Sequence, residues 1–163
     1  MTAANLPAVM DIQAACYTEL VPESQASLEA KRAASPSTCW VAVRDGVVVG
    51  YLFALPWTAG QPPALDARTC ELPRAPDCLY LHDLSVSPRA RESGTGRALV
   101  EAFMGHLALL GLARAALVAV QDSVPYWERF GFRVAALAAP RQAALNTYGR
   151  AVAYMERPTT TGT

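Results

Sequence analysis

Arg91, Gly94 and Gly96 stand in the order R-x-x-G-x-G within RESGTGR, after a strand-forming stretch that ends Leu84-Ser85-Val86 and before a helical pattern that opens at Arg97. Glycines at alternate positions let the backbone come close to a ligand, and the helix behind them offers unpaired N–H groups at the positive end of its dipole. Such a nest suits a pyrophosphate, and a glycine-rich strand-to-helix turn with no ligand has the same spelling. Two other phosphate loops do not fit. A P-loop needs G-x-x-x-x-G-K-[ST], and the segment has no lysine. A dinucleotide fingerprint needs a third glycine where Leu99 stands, and the segment follows an antiparallel hairpin instead of opening a repeated βαβ series.

The strand before this turn carries the titratable candidates. Simple alternation places Tyr80, His82 and Leu84 on one face and Asp83 and Ser85 on the other. An imidazole, with an ordinary pKa of about 6.5, suits proton acceptance near neutrality, whereas a phenol at about 10 is a poor base and a better anchor for water. A histidine buried and satisfied by Asp83 or a backbone carbonyl is the alternative for His82. Cys16, Cys39, Cys70 and Cys78 form no C-x-x-C pair, and neither histidine lies at a zinc-ligand spacing, so no metal is expected and the thiols read as free.

Several elements must position these groups. Asn5 as a cap, with Leu6, Val9, Ile12 and Cys16 at helical spacing, predicts a first helix that ends before Pro22, and Ser24 opens a second, shorter one that ends before Ser35-Pro36. Residues 39–44 and 47–55 read as an antiparallel hairpin about Asp45-Gly46. Residues 56–77 carry five prolines and no periodicity, a length that often signals function. A strand over 79–86, a helix over 97–110 with Leu99, Phe103, Leu107 and Leu110 on one stripe, and a strand over 113–120 make one βαβ unit. A short helix over 125–130 and weaker strands near 133–138 and 151–157, flanking a loop at 140–149, complete the pattern. The expected fold is α/β, a mixed and mostly antiparallel sheet with helices on both faces.

Composition sets the class. With 163 residues, 52% hydrophobic and 17% charged, the chain can bury one core, so residues 1–157 are expected to form a single domain and 158–163 a flexible tail. Fourteen basic and fourteen acidic side chains cancel, which leaves no global field to gather nucleic acid or a membrane surface. No basic segment followed by an apolar stretch opens the chain, and no run of about 18 apolar residues occurs, so a cytoplasmic location is expected.

The succession of a strand ending LSV, R-x-x-G-x-G, a helix, a strand and YWERFGF resembles the GNAT superfamily of N-acetyltransferases from Cys39 to about Phe132. The hairpin ending Pro56-Trp57, the L-H-x-L-x-V strand and VPYWERFGF look most like the arylalkylamine N-acetyltransferases. The resemblance implies acetyl-CoA as cosubstrate, without a metal. Backbone groups of Leu84, Ser85 and Val86 would pair with the pantetheine arm, Arg91 would open the cofactor turn, and the N–H groups of Glu92, Ser93, Gly94, Thr95, Gly96 and Arg97 would receive the pyrophosphate. The fourth and fifth strands of the family would splay apart to admit the thioester, and an N–H near Leu84 could serve the oxyanion.

In the arylalkylamine members two histidines relay the amine proton, and they match Tyr80 and His82, so His82 is retained and Tyr80 replaces its partner. A tyrosine that protonates the coenzyme thiolate is replaced by Trp127, whose indole donates a hydrogen bond but does not titrate usefully. Trp127 would then line the thioester channel. Tyr126 is adjacent but lies about 100° around a helix, where packing against the core competes with a catalytic part. Members also open with a strand, whereas only Met1 to Ala4 precede Asn5, which leaves sheet-edge contacts and a homodimer open. The function implied is acetyl transfer to a primary amine, on a small molecule given the neutral charge, by direct attack through a ternary complex. A non-catalytic acyl-CoA sensor or interaction module is the alternative. The acceptor would be chosen by residues 16–24, 57–77 and 140–149.

Overall fold

Val, Trp, Tyr and Phe crowd the segments on either side of Asp45-Gly46, and these form β1 (Cys39–Arg44) and β2 (Val47–Trp57). Asp45 and Gly46 both take positive φ, 50° and 77°, as a tight hairpin turn between right-twisted strands requires. In the computed structural model, which describes residues 1–18, 21–145, 148 and 151–159, the sheet continues with β3 (Cys78–Val86), β4 (Arg114–Ala119), β5 (Arg133–Val134) and β6 (Ala153–Pro158). The strand order is β1-β2-β3-β4-β6-β5, with β3 and β4 parallel and the other neighbours antiparallel.

Helices cover both faces. On one side, α3 (Thr95–Leu110) lays Leu99, Val100, Phe103 and Leu107 against Leu52, Leu79, Leu81 and Leu117, and Trp127 of α4 (Val124–Glu128) joins them. Each such buried side chain contributes about 1.5–3 kcal/mol relative to exposure. Gly111, at φ 64°, ends α3 in the left-handed conformation. On the other side, α1 (Leu6–Cys16) and α2 (Gln25–Ala34) pack Leu6, Val9, Ile12 and Leu28 onto Tyr51 and Phe53, and Leu145 of α5 (Ala139–Leu145) packs with Tyr80 and Tyr154.

Some expectations needed correction. Asn5 makes no side-chain cap for α1, because its Oδ1 accepts the Thr2 N–H at 2.8 Å. Residues 139–145 are helical although Pro140 marked them as a loop, since proline is well placed in a first turn; residues 146, 147, 149 and 150 lie outside the described residues. β5 is two residues long because the alanine-rich stretch after Val134 has few strand formers. At the C-terminal end Pro158 pairs with Arg114, and the Thr159 N–H donates to Ala113 O at 2.9 Å, while residues 160–163 lie outside the described set.

One correction bears on chemistry. Phe53 is paired with Asp83 but Ala54 with Leu81, so His82 is an extra residue in β3. A bulge of this kind breaks the alternation of side chains. Leu84 therefore joins Leu79 and Leu81 on the α3 face, away from Tyr80 and His82, and Asp83 turns to the α1 face, where it meets Tyr17 and Tyr51.

Candidate active site

The glycine-rich turn is shaped by backbone conformations that few residues adopt. Glu92 and Gly94 sit at φ 61° and 79°, and open space surrounds the point where a Gly94 Cβ would lie. A Cβ on Gly96 would come within 2.8 Å of the Tyr126 hydroxyl. The first hydrogen bond of α3 runs from the Ala98 N–H to Gly94 O at 2.9 Å, so the N–H groups of Thr95, Gly96 and Arg97 have no helical carbonyl to serve. Ser93 braces the turn from within: its hydroxyl donates to Ala90 O and lies 2.8 Å from Thr95 Oγ1. Arg91, Glu92, Gly94, Thr95, Gly96 and Arg97 line a cleft, with Arg97 held outward by Glu101 at 2.8 Å. Free donors, a helix N-terminus and the absence of Cβ atoms give this cradle the room and polarity that a pyrophosphate requires.

From the cradle the cleft, about 1130 Å³, runs through the gap between β3 and β4. These strands pair over Cys78–Leu81 and Arg114–Leu117 and then part, so Leu84, Ser85 and Val86 are bonded to β2 on one edge and have no β4 partner on the other. Val86 O accepts a bond from Cys16 Sγ at 3.3 Å. Trp127 lines the cleft yet is 7% exposed, stacked edge-on against Phe132 in the core. Tyr126 is half-buried, with the Arg129 guanidinium 5.0 Å over its ring and its hydroxyl at Gly96 rather than in the core. Burial raises the Tyr126 phenol against the opposing pull of Arg129.

At its other end the cleft meets a buried network that the sequence did not reveal. Glu23, two positions before α2, places Oε1 2.8 Å from His82 Nε2 and accepts bonds at Oε2 from Lys31 Nζ and Ser27 Oγ, both at 3.0 Å. The side chains of His82, Glu23 and Lys31 are 4%, 9% and 2% exposed. Burial alone would raise the Glu23 carboxyl, but the hydrogen bond and charge of His82, with Lys31 beyond, outweigh it and hold Glu23 at about 2. His82 Nδ1 is buried with no partner, unique in this among the side-chain polar atoms of the described residues. Asp83, which might have satisfied His82, instead accepts bonds from the Tyr17 and Tyr51 hydroxyls, and burial raises its carboxyl despite them. Tyr80 stands 6.2 Å from the His82 ring, with burial pushing its phenol well above the ordinary value.

A family model described as Acetyltransferase (GNAT) family matches residues 6–132. The chain belongs to that family. Membership makes it an acyltransferase with acetyl-CoA as cosubstrate, and no cluster of metal-ligating side chains occurs among the described residues. Among solved structures it is similar to Ard1 from Thermoplasma volcanium, with a TM-score of 0.74 and 18% identity over 97% of this chain and 93% of that one. It is also similar to the ribosomal-protein-S18-alanine N-acetyltransferase of Escherichia coli (0.70, 17%, 100% and 93%) and to GphF, a GNAT-like decarboxylase bound to isobutyryl-CoA (0.74, 17%, 97% and 96%). At these identities the likeness is one of fold. No curated protein matches the chain.

In this acetyltransferase the segments expected to choose the acceptor do reach the cleft: Tyr17, Val21 and Glu23 from the α1–α2 connection, Leu65 from the β2–β3 segment, and Tyr148, with residues 19 and 20 outside the described set. The β2–β3 segment is anchored to the start of α2, because Asp66 Oδ1 accepts both the N–H and the hydroxyl of Ser24, at 2.8 and 2.6 Å. Glu23 carried one signal in the sequence, an acidic residue beside a helix start, which is too common to single out a site.

Proposed function

We propose that the chain transfers the acetyl group of acetyl-CoA to the primary amine of a small molecule by direct attack in a ternary complex. The observation that carries this reading is the single cleft that joins the glycine-rich cradle, through the parted β3 and β4, to His82. Acetyl-CoA supplies the acetyl group as a thioester and leaves as the free thiol. The N–H groups of Thr95, Gly96 and Arg97 would hold the pyrophosphate, and the unpaired edge of β3 at Leu84, Ser85 and Val86 would hold the pantetheine arm. His82 accepts the proton that the incoming ammonium must shed before its nitrogen lone pair can attack. Tyr80, with a phenol that keeps its proton, is suited to holding a water beside it.

A small acceptor is favoured by the apolar and aromatic lining of the far end, Val21, Leu65, Tyr17 and Tyr148, and by the absence of net charge. The motif resemblance points to arylalkylamines as the first amines to try. The four thiols are free, which suits a cytoplasmic setting. A panel of arylalkylamines, polyamines and peptides, read by thiol release, tests the acceptor class, and turnover confined to peptides would overturn it. With a good amine, His82→Gln should lower kcat/KM by about 10²-fold to 10⁴-fold near neutral pH. The loss should shrink as pH rises and the amine neutralises itself. Overlapping wild-type and variant profiles would leave deprotonation to bulk water.

A further inference from the structure

Glu23 is more than a buried counter-ion for Lys31. A neutral imidazole carries one proton on either ring nitrogen, and only the bare nitrogen is a base. In this chain the two nitrogens have unequal surroundings: Nε2 faces a carboxylate oxygen at 2.8 Å, and Nδ1 is buried with no hydrogen-bond partner. We propose that Glu23 is a positioning residue that fixes His82 in the Nε2–H tautomer, so that the Nδ1 lone pair is the one available to a proton from the acceptor amine. The proposal rests on the reading of His82 as proton acceptor.

The carboxylate is equipped for this. A carboxylate that is ionised accepts but cannot donate, so it tolerates only a protonated Nε2. Lys31 Nζ and Ser27 Oγ both donate to the other oxygen, Oε2, which keeps Oε1 for the ring. The backbone of Glu23 is pinned as well, since Gln13 Nε2 of α1 donates to its carbonyl at 2.9 Å. When Nδ1 gains a proton, the positive ring remains against this negative partner, which stabilises the charged form where it arises. No competing acceptor reaches Nε2, because both Asp83 oxygens are taken by Tyr17 and Tyr51.

Glu23→Gln alone would strand a buried lysine, so the working variant pairs Glu23→Gln with Lys31→Met, which removes both charges at similar volume. A glutamine amide both donates and accepts, so it no longer selects a tautomer. The chain has two histidines, and two-bond nitrogen–proton correlation spectra of the free enzyme, assigned through His82→Gln, report which His82 nitrogen is protonated. The wild type should show protonated Nε2 and bare Nδ1, and the double variant a mixture. With a good amine, kcat should fall about 10-fold to 100-fold, the usual span for a group that orients another, while KM for acetyl-CoA stays the same. A wild-type ring protonated at Nδ1, or a double variant with mixed tautomers and unchanged kcat, would overturn the proposal. The spectra need no acceptor: if no amine releases thiol from the wild type, the acetyl-transfer reading fails, and the tautomer alone decides what Glu23 does.

Discussion

The two ends of the cleft are built differently. The cradle is made of backbone, its N–H groups come from adjacent residues, and its shape depends on glycines and on two positive φ angles within one turn. The other end is made of side chains from α1, the α1–α2 connection, α2, β2 and β3, and it buries a carboxylate with an ammonium at 3.0 Å and an imidazole at 2.8 Å. A backbone site suits a group that every acyl-CoA shares, and its donors do not change with sequence so long as the turn is kept. A side-chain site can be re-specified by single substitutions, at the cost of a charge network that must stay balanced.

The largest test of that contrast is Gly96→Glu. A side chain there meets the Tyr126 hydroxyl first and places a negative charge where a pyrophosphate must approach. Helical φ is undemanding and the clash is with the far end of one side chain, so the fold should survive while CoA affinity falls by about 10³-fold or more, about 4 kcal/mol. Calorimetry with an unchanged circular dichroism spectrum checks it, and retained affinity would move the pyrophosphate out of the cradle.

The acceptor end should betray its charges in acid. The folded value of Glu23, about 2, lies below its ordinary 4.5, so its contribution is fully present above 4.5 and is lost as pH falls from 4.5 towards 2. A shift of that size corresponds to about 3 kcal/mol. Asp83 acts in the opposite sense, because its raised carboxyl favours the folded state as it protonates. Comparing the wild type with the Glu23→Gln, Lys31→Met double variant cancels Asp83 and the surface acids common to both. Denaturant unfolding across this window should show the wild type losing about 3 kcal/mol more, and parallel losses would mean that the network is not balanced as the geometry indicates.

The same contrast explains what could be read from sequence. R-x-x-G-x-G is legible because contiguous residues make the cradle, and the β1–β2 hairpin and the apolar stripe of α3 are legible because strand and helix periods are local. The bulge at His82 is not local. It inserts one residue relative to β2, and period-two alternation run through it sent Leu84 and Asp83 to the wrong faces. Glu23 was invisible for a related reason: it lies 59 residues from His82, and only the α1–α2 connection folding over β3 brings them to 2.8 Å. Pro140 misled in the other direction, a breaker by reputation that here opens a helix.

Tyr126 lies where the two ends meet and gives the smallest effect and the finest division. Its ring is held by Trp127 and Phe130, with centroids at 5.0 and 5.2 Å, and by the Arg129 guanidinium, so Tyr126→Phe keeps the packing and should barely alter stability. What it removes is a hydroxyl beside Gly96, on the cradle side of the cleft. Because burial raises this phenol, it holds its proton near neutrality and acts there as a donor. A donor at the cradle serves binding, and one hydrogen bond contributes about 1 kcal/mol, so CoA affinity should fall about 5-fold to 10-fold with kcat unchanged. A donor to the departing thiolate would behave in the opposite way, lowering kcat about 100-fold or more at constant affinity. Calorimetry and steady-state kinetics on the one variant separate these outcomes. The first would assign Tyr126 to the backbone-built end, and the second would make it the acid that Trp127 cannot be.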